Sequence, residues 1–273
     1  MKRFSRRLVQ LVVRNEILWK VGLKPYVRLA DSLRFWRTKY ELDNLAYRLF
    51  HDRVVLHGPF KGMQYSELGG LGGAWYPRLL GSYESEIHHW IETIRERNYT
   101  QIVDVGCAEG YYAVGFARMF PLAQVFAFDT DPEAQTACQA MTRTNGVDKR
   151  VKVVGRCNPP TLTKIISSRR ALIVSDCEGY ERELFTAEVA HAAARSDILV
   201  EIHDFGSDDI AKQLINMFEP SHQTRLVTSV SPAFKATRAD YPELSDLSMA
   251  ERLGLLDEHR GLEMKWFIAE PRQ

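Results

Sequence analysis

The 273-residue chain is poor in the features that place a protein quickly. Its four cysteines (Cys107, Cys138, Cys157 and Cys177) lack metal-ligand spacing, which argues against a zinc module. No secretory leader is legible, so these thiols are expected to be reduced and the protein cytoplasmic. There is no G-x-G-x-x-G after a strand and no Gly-Lys-Ser/Thr loop, which sets aside the usual dinucleotide and nucleoside-triphosphate cradles. Internal repeats and low-complexity tracts are missing too. Disorder is not expected, because 45% of the residues are hydrophobic and the length suffices for a full core.

An overall excess of charge is also lacking, with 36 Lys and Arg against 35 Asp and Glu. The balance hides an asymmetry. Residues 1–50 hold twelve basic and four acidic residues, an excess of eight, which leaves the remainder at −7 for a total of +1. Within MKRFSRRLVQLVVRNEILWK, Phe4, Leu8, Leu11, Leu18 and Trp19 share a helical face. The segment is too short and too charged to span a bilayer, which takes roughly 20 apolar residues. A basic amphipathic helix over residues 1–22 is suited to peripheral contact with an anionic membrane, or to packing on the main domain or a second subunit of a homo-oligomer. Helical pattern continues to Phe50 with interleaved aromatics. Its basic residues cover several faces without a nucleic-acid motif, so no nucleic-acid partner is expected.

Three regions are expected: a basic helical extension over 1–53, a hairpin and lead-in helix over 54–100, and an α/β domain over 101–273. In the last, strands are predicted at Ile102–Val105, Val125–Asp129, Val151–Val154, Ala171–Asp176, Ile198–His203, Thr224–Val230 and Met264–Ala269. Helices are predicted between them, one running from Glu181 to Val189. Such alternation predicts a Rossmann-like, doubly wound seven-stranded sheet, with its ligand crevice at the carboxyl ends of the strands.

The stretch QIVDVGCAEGYYAVGFARMF reads as strand, glycine turn and helix. The turn offers Asp104, Gly106, Cys107, Ala108, Glu109 and Gly110. The next strand ends in VFAFDTDP, which puts Asp129 and Thr130 at the crevice, where the carboxylate can accept both hydroxyls of a ribose. This pattern resembles the S-adenosylmethionine-dependent methyltransferases of the Rossmann-like class. ALIVSDCEGYERELF resembles the D-x-E-G-x-E segment of the FkbM-type members, and DILVEIHDF their E-x-H segment. GPFKGM, LLGSYESEI, which contains Glu84, and EMKWFIAEP are similar to further segments of that family. The resemblance spans roughly Val54 to Pro271. It implies S-adenosylmethionine as methyl donor and a hydroxyl of a glycan, sugar or other small molecule as acceptor. One departure concerns the third strand, where VKVVGRCNPP offers Gly155, Arg156 and Cys157 in place of an acidic residue for the adenine amino group.

An alcohol holds its proton tightly at neutral pH, so a base must take it as the bond forms or a metal must lower its pKa. Asp176, Glu178, Glu201, His203 and Asp204 fall at the ends of the fourth and fifth strands. In one mechanism His203 is the general base, oriented by Asp176 or Glu201. In the other, Asp176, Glu201 and Asp204 hold Mg²⁺, which binds the acceptor oxygen. Quieter roles are open: Glu178 and Glu181 favour a helix start, Asp176 and Asp204 can cap helices, and Tyr111 and Tyr112 can fill core. His222, Glu258 and Arg260 lie in segments that can face the acceptor. So does the polar connection Ser231–Ser248, expected with the N-terminal helices to form the acceptor pocket. N-methylation on the same fold and a non-catalytic donor-binding module are the alternatives.

Overall fold

Strands that are apolar on both faces need helices on both sides, and this chain supplies them. The computed structural model describes residues 9, 13–66, 74–167, 170–204, 209–260 and 263–272. The strands are β1 (Gln101–Val105), β2 (Gln124–Phe128), β3 (Val151–Val154), β4 (Ala171–Ser175), β5 (Asp197–Ile202), β6 (His222–Thr228) and β7 (Lys265–Pro271). They form one sheet in the order β3-β2-β1-β4-β5-β7-β6. β1 to β5 are parallel, and β7 lies antiparallel between β5 and β6. The Rossmann-like, doubly wound architecture is therefore the one expected. Every residue of β4 and β5 is buried.

The helices are α1 (Lys24–Leu49), α2 (Trp75–Leu80), α3 (Ser85–Thr93), α4 (Tyr111–Met119), α5 (Pro132–Thr144), α6 (Pro159–Ile166), α7 (Glu181–Leu184), α8 (Ala187–Ala192), α9 (Ile210–Phe218), α10 (Pro232–Arg238) and α11 (Met249–Leu256). Local chemistry sets several starts. Asp131 accepts the Glu133 N–H ahead of α5, whose first residue is Pro132, and Asn158 does the same for α6 through Thr161. Ser248 and Glu251 form a capping box on α11. The chain divides into two compact units, Met1–His51 and Asp52–Gln273, so residues 54–100 fall within the unit that contains the sheet.

Some expectations need correction. The single helix over Glu181–Val189 is broken: Phe185 is extended, and Thr186 begins α8 by accepting the Val189 N–H. A hydroxyl that can serve as a cap competes with helix continuation, and here it wins. The hairpin near residue 60 is present but short: Val54 bridges Gln64, the Val55 N–H donates to the Met63 carbonyl and the Tyr65 N–H to that of Arg53, without extended strands. Residues 67–73, which include Gly69, Gly70, Gly72 and Gly73, most of the expected amphipathic face over 1–12, and residues 205–208 lie outside the described residues.

The order of strands reverses between β1 and β4, which leaves a crevice above their carboxyl ends. Gly106 makes the two ends fit. Its φ is +86°, and a Cβ there would lie 1.7 Å from the Asp176 carbonyl oxygen. The glycine after β1 is thus required by the β4 backbone that crosses it. Gly106→Ala is expected to destabilise the fold by about 3 kcal/mol or more, read in a denaturant melt. Gly155→Ala, where a Cβ meets nothing within 4 Å, is the matched control and is expected to melt like the wild type.

Candidate active site

A cavity of about 920 Å³ opens above the reversal point, within the range that takes drug-sized ligands. Tips of five strands wall it: Val105 at the end of β1 and Gly106 after it, Asp129 after β2, Arg156 after β3, Asp176 after β4 and His203 after β5.

At one end stands Asp129. Its Oδ2 accepts the Ala108 N–H and its Oδ1 the Asp131 N–H, both at 2.9 Å. Ala108 adopts a left-handed conformation, φ 45°, in the turn that presents this N–H. Each carboxylate oxygen retains acceptor capacity, so the group is held in place yet able to bind hydroxyls. Thr130 lines the same end. At the tip of β3, Arg156 lies over the Tyr180 ring at 4.7 Å, and both face the cavity.

At the other end two motifs far apart in sequence meet on one imidazole. His203 Nδ1 lies 3.1 Å from Glu181 Oε1, while Nε2 lies 3.6 Å from both Asp176 Oδ1 and Glu178 Oε2. Glu178 and Gly179 are both left-handed, at φ 53° and 99°, and this tight turn brings Glu181 back beneath the ring. Burial opposes ionisation of Glu181, but the hydrogen bonds from His203 and backbone N–H groups pull its pKa below the ordinary value. An ionised Glu181 selects the tautomer with a proton on Nδ1 and turns Nε2 toward the cavity. Burial alone would lower the His203 pKa. The bond to Glu181 and the charges of Asp176, Glu181 and Glu201 outweigh it and hold the ring up to about 9. Asp176 rises to about 6, through burial first and then the Glu84 charge.

Behind this end lies a buried charge network. Arg260 donates from Nη2 to Glu84, from Nη1 to Glu201 and from Nε to Glu258 at 2.9 Å. Lys235 in α10 bridges Glu258 and Glu86, the latter at 3.0 Å. Tyr112 donates to the second oxygen of Glu84. Two cations thus face four carboxylates. The surplus is relieved by protons, since burial first, and then the charge of Glu201 on Glu84 and of Asp176 on Glu201, raise both to about 8 against the pull of Arg260. A second cavity of about 430 Å³ abuts the network and shares Glu258 and Arg260 with the first.

The expected site residues divide accordingly. Gly106, Ala108, Asp129, Thr130, Asp176, Glu201 and His203 line the cavity, as do Glu178, Glu258 and Arg260. Asp104, Cys107, Glu109, Gly110 and Glu84 do not. Asp104 is 1% exposed, and burial lifts its pKa to about 7. Glu109 pairs with Arg78, and Gly110 packs beside Cys138. The expected orienting partner of His203 changes as well. Glu181 holds the ring, whereas Glu201 is bound to Arg260. The proposed Mg²⁺ set is also different: Asp204 accepts the Ile210 N–H at the head of α9, away from Asp176 and Glu201. Among the described residues the donor atoms that converge are those of Asp176, Glu178 and His203, within 4.8 Å of one another. His222 points elsewhere, to the Ser196 carbonyl. Arg78 and Lys235 were missed by sequence reasoning, and lone basic residues in loops and short helices give no pattern that would find them.

No family model matches the chain. A stretch of 54 residues is 35% identical to a protein named 2-O-methyltransferase NoeI from Sinorhizobium fredii NGR234, covering 20% of this chain and 22% of that protein. The chain thus matches about a fifth of that relative's length. Among solved structures, cofactor-bound Rv0187 from MTB is similar over 76% of this chain and 85% of its own, at 15% identity and a TM-score of 0.49. The O-methyltransferase TomG from Streptomyces achromogenes, solved with SAM, is similar over 70% and 81%, at 11% identity and 0.46. A putative O-methyltransferase from Klebsiella pneumoniae covers 71% and 82%, at 12% and 0.46.

Arg260 joins three segments around the cavity, so its removal leaves buried carboxylates without their cation. Arg260→Met is expected to cost roughly 3–5 kcal/mol in a denaturant melt at pH 9, where Glu84 and Glu201 are ionised, and less at pH 6, and a Glu201→Gln background is expected to reduce the cost at pH 9.

Proposed function

We propose that the chain is an S-adenosylmethionine-dependent O-methyltransferase of the FkbM type that acts on a hydroxyl of a glycan, sugar or secondary metabolite. The observation that carries this reading is one cavity with a backbone-anchored carboxylate, Asp129, at one end and the Asp176–His203 pair at the other. The short match to a protein named as a 2-O-methyltransferase supports a hydroxyl acceptor.

S-adenosylmethionine supplies, when bound, a methyl group on a sulfonium that is already activated for transfer. Asp129 would accept the ribose hydroxyls, and the Gly106–Ala108 turn lets backbone approach the ligand closely. The catalytic ends of β4 and β5 then have two tasks, alignment and proton removal. An acceptor hydroxyl seated between Asp176 Oδ1 and His203 Nε2 can pass its proton to either. Glu181 holds the imidazole so that the proton received at Nε2 is stabilised as an imidazolium. Asp176 is already ionised at neutral pH, whereas His203 must first shed its proton. Arg260 and Glu201 position the wall of the site, and the second cavity beside them, lined by Ser229, Ser231 and Lys235, is assigned to the acceptor.

Calorimetry with S-adenosylhomocysteine is expected to show binding by the wild type that Asp129→Ala loses; equal binding by that variant removes the donor assignment. In a methyl-transfer screen over hydroxylated sugars, kcat/KM is expected to rise with pH toward about 9, as the population of neutral His203 grows. A profile already level above pH 6 assigns the base to Asp176 alone. His203→Ala with unchanged turnover on an amine favours N-methylation, which needs only a neutral lone pair. Turnover abolished by EDTA and restored by Mg²⁺ turns Asp176, Glu178 and His203 from base to ligand set.

A further inference from the structure

The first unit exposes apolar surface out of proportion to its size. Among the described residues, twelve of the eighteen exposed large apolar side chains lie before residue 52. On α1 they are ordered. Tyr26, Leu29, Leu33, Trp36, Tyr40 and Tyr47 follow at alternating steps of three and four residues, then one of seven, which sets them along one stripe of the helix. Each is between 57% and 71% exposed.

A stripe with this spacing has two common uses, a coiled-coil seam or a membrane-facing edge, and its flanks decide between them. On the helical projection Arg37 and Arg48 fall on one side of the stripe with Glu41, which pairs with Arg37 at 2.6 Å, and Arg28 and Lys39 fall on the other with Asp43, so each edge keeps an excess of one cation. A second copy would bring together edges that each carry a net positive charge, which disfavours self-pairing. An anionic surface meets them favourably. The composition agrees: four of the six residues are Trp or Tyr, whose amphipathic rings settle at the headgroup level. No described helix is long and apolar enough to cross a membrane, so the contact would be in plane.

We propose that α1 is a peripheral docking surface for an anionic phospholipid bilayer, with the Tyr26–Tyr47 stripe at the acyl boundary and Arg28, Arg37, Lys39 and Arg48 on the headgroups. The assignment does not depend on the methyl-transfer reading, because vesicle binding is measured without turnover.

The test is sedimentation of the full chain with vesicles of phosphatidylcholine alone or mixed with phosphatidylserine, at low and high salt. The expected result is binding to the mixed vesicles only, lost at high salt, and weakened at least about ten-fold in the double variant Trp36→Ser, Tyr40→Ser. Charge reversal is the second variant. Arg37→Glu with Lys39→Glu is expected to weaken binding on the order of ten-fold or more, since each cation near such a surface contributes about five-fold. Unchanged circular dichroism shows that both variants still fold. Three results overturn the proposal: equal binding to both vesicle types, a wild type that stays in the supernatant, or a solution dimer that the aromatic double variant abolishes. The last would make the stripe an interface between copies.

Discussion

The guanidinium of Arg260, largely buried between two cavities, is the constraint on which the site depends. Three carboxylates on three separate segments point at it: Glu84 ahead of α3, Glu201 in β5 and Glu258 in the connection to β7. None of these groups is stable alone in an apolar interior. Each therefore fixes the position of the others, and the wall of the cavity follows from their arrangement. Lys235 extends the network into α10 and so ties the connection after β6 to the same point.

A network with more carboxylates than cations has to hold protons. Burial first, and then the charge of neighbouring carboxylates, sets Glu84, Glu201 and Asp176 above the ordinary carboxylate range, while the bond to Glu181 and the charge of Asp176 drive His203 up despite its burial. The arrangement suits chemistry in which a proton is taken from an acceptor, because several groups near the cavity change charge between about pH 6 and 9. It also separates two roles that local sequence runs together. Asp176 and His203 face the cavity, whereas Glu181 works behind the ring and acts through it.

Much of this was legible in the sequence. The alternation of strand and helix gave the sheet, since strands buried on both faces are apolar throughout and each sits between turn signals. Asp129 was found because the residue at the tip of β2 must face the crevice. The D-x-E-G-x-E and E-x-H segments were visible as separate motifs, but their meeting was not, because Glu181 and His203 are joined only by folding. The same limit hid the role of Arg260, whose partners Glu201 and Glu84 lie 59 and 176 residues away. Asp104 was misplaced for a different reason. In a strand flanked by helices on both faces an inward carboxylate and a crevice carboxylate look alike from sequence, and only the buried position of Asp104 tells them apart. The break at Thr186 follows a local rule, capping by a hydroxyl, that prevails over helical periodicity.

The account rests on the cavity between Asp129 and His203 as the donor site. A crystal structure with S-adenosylhomocysteine tests it most directly. The predicted result is a ligand whose ribose hydroxyls bind the Asp129 carboxylate and whose sulfur faces Asp176 and His203. Ligand density elsewhere on the molecule, or none at saturating concentration, would contradict it.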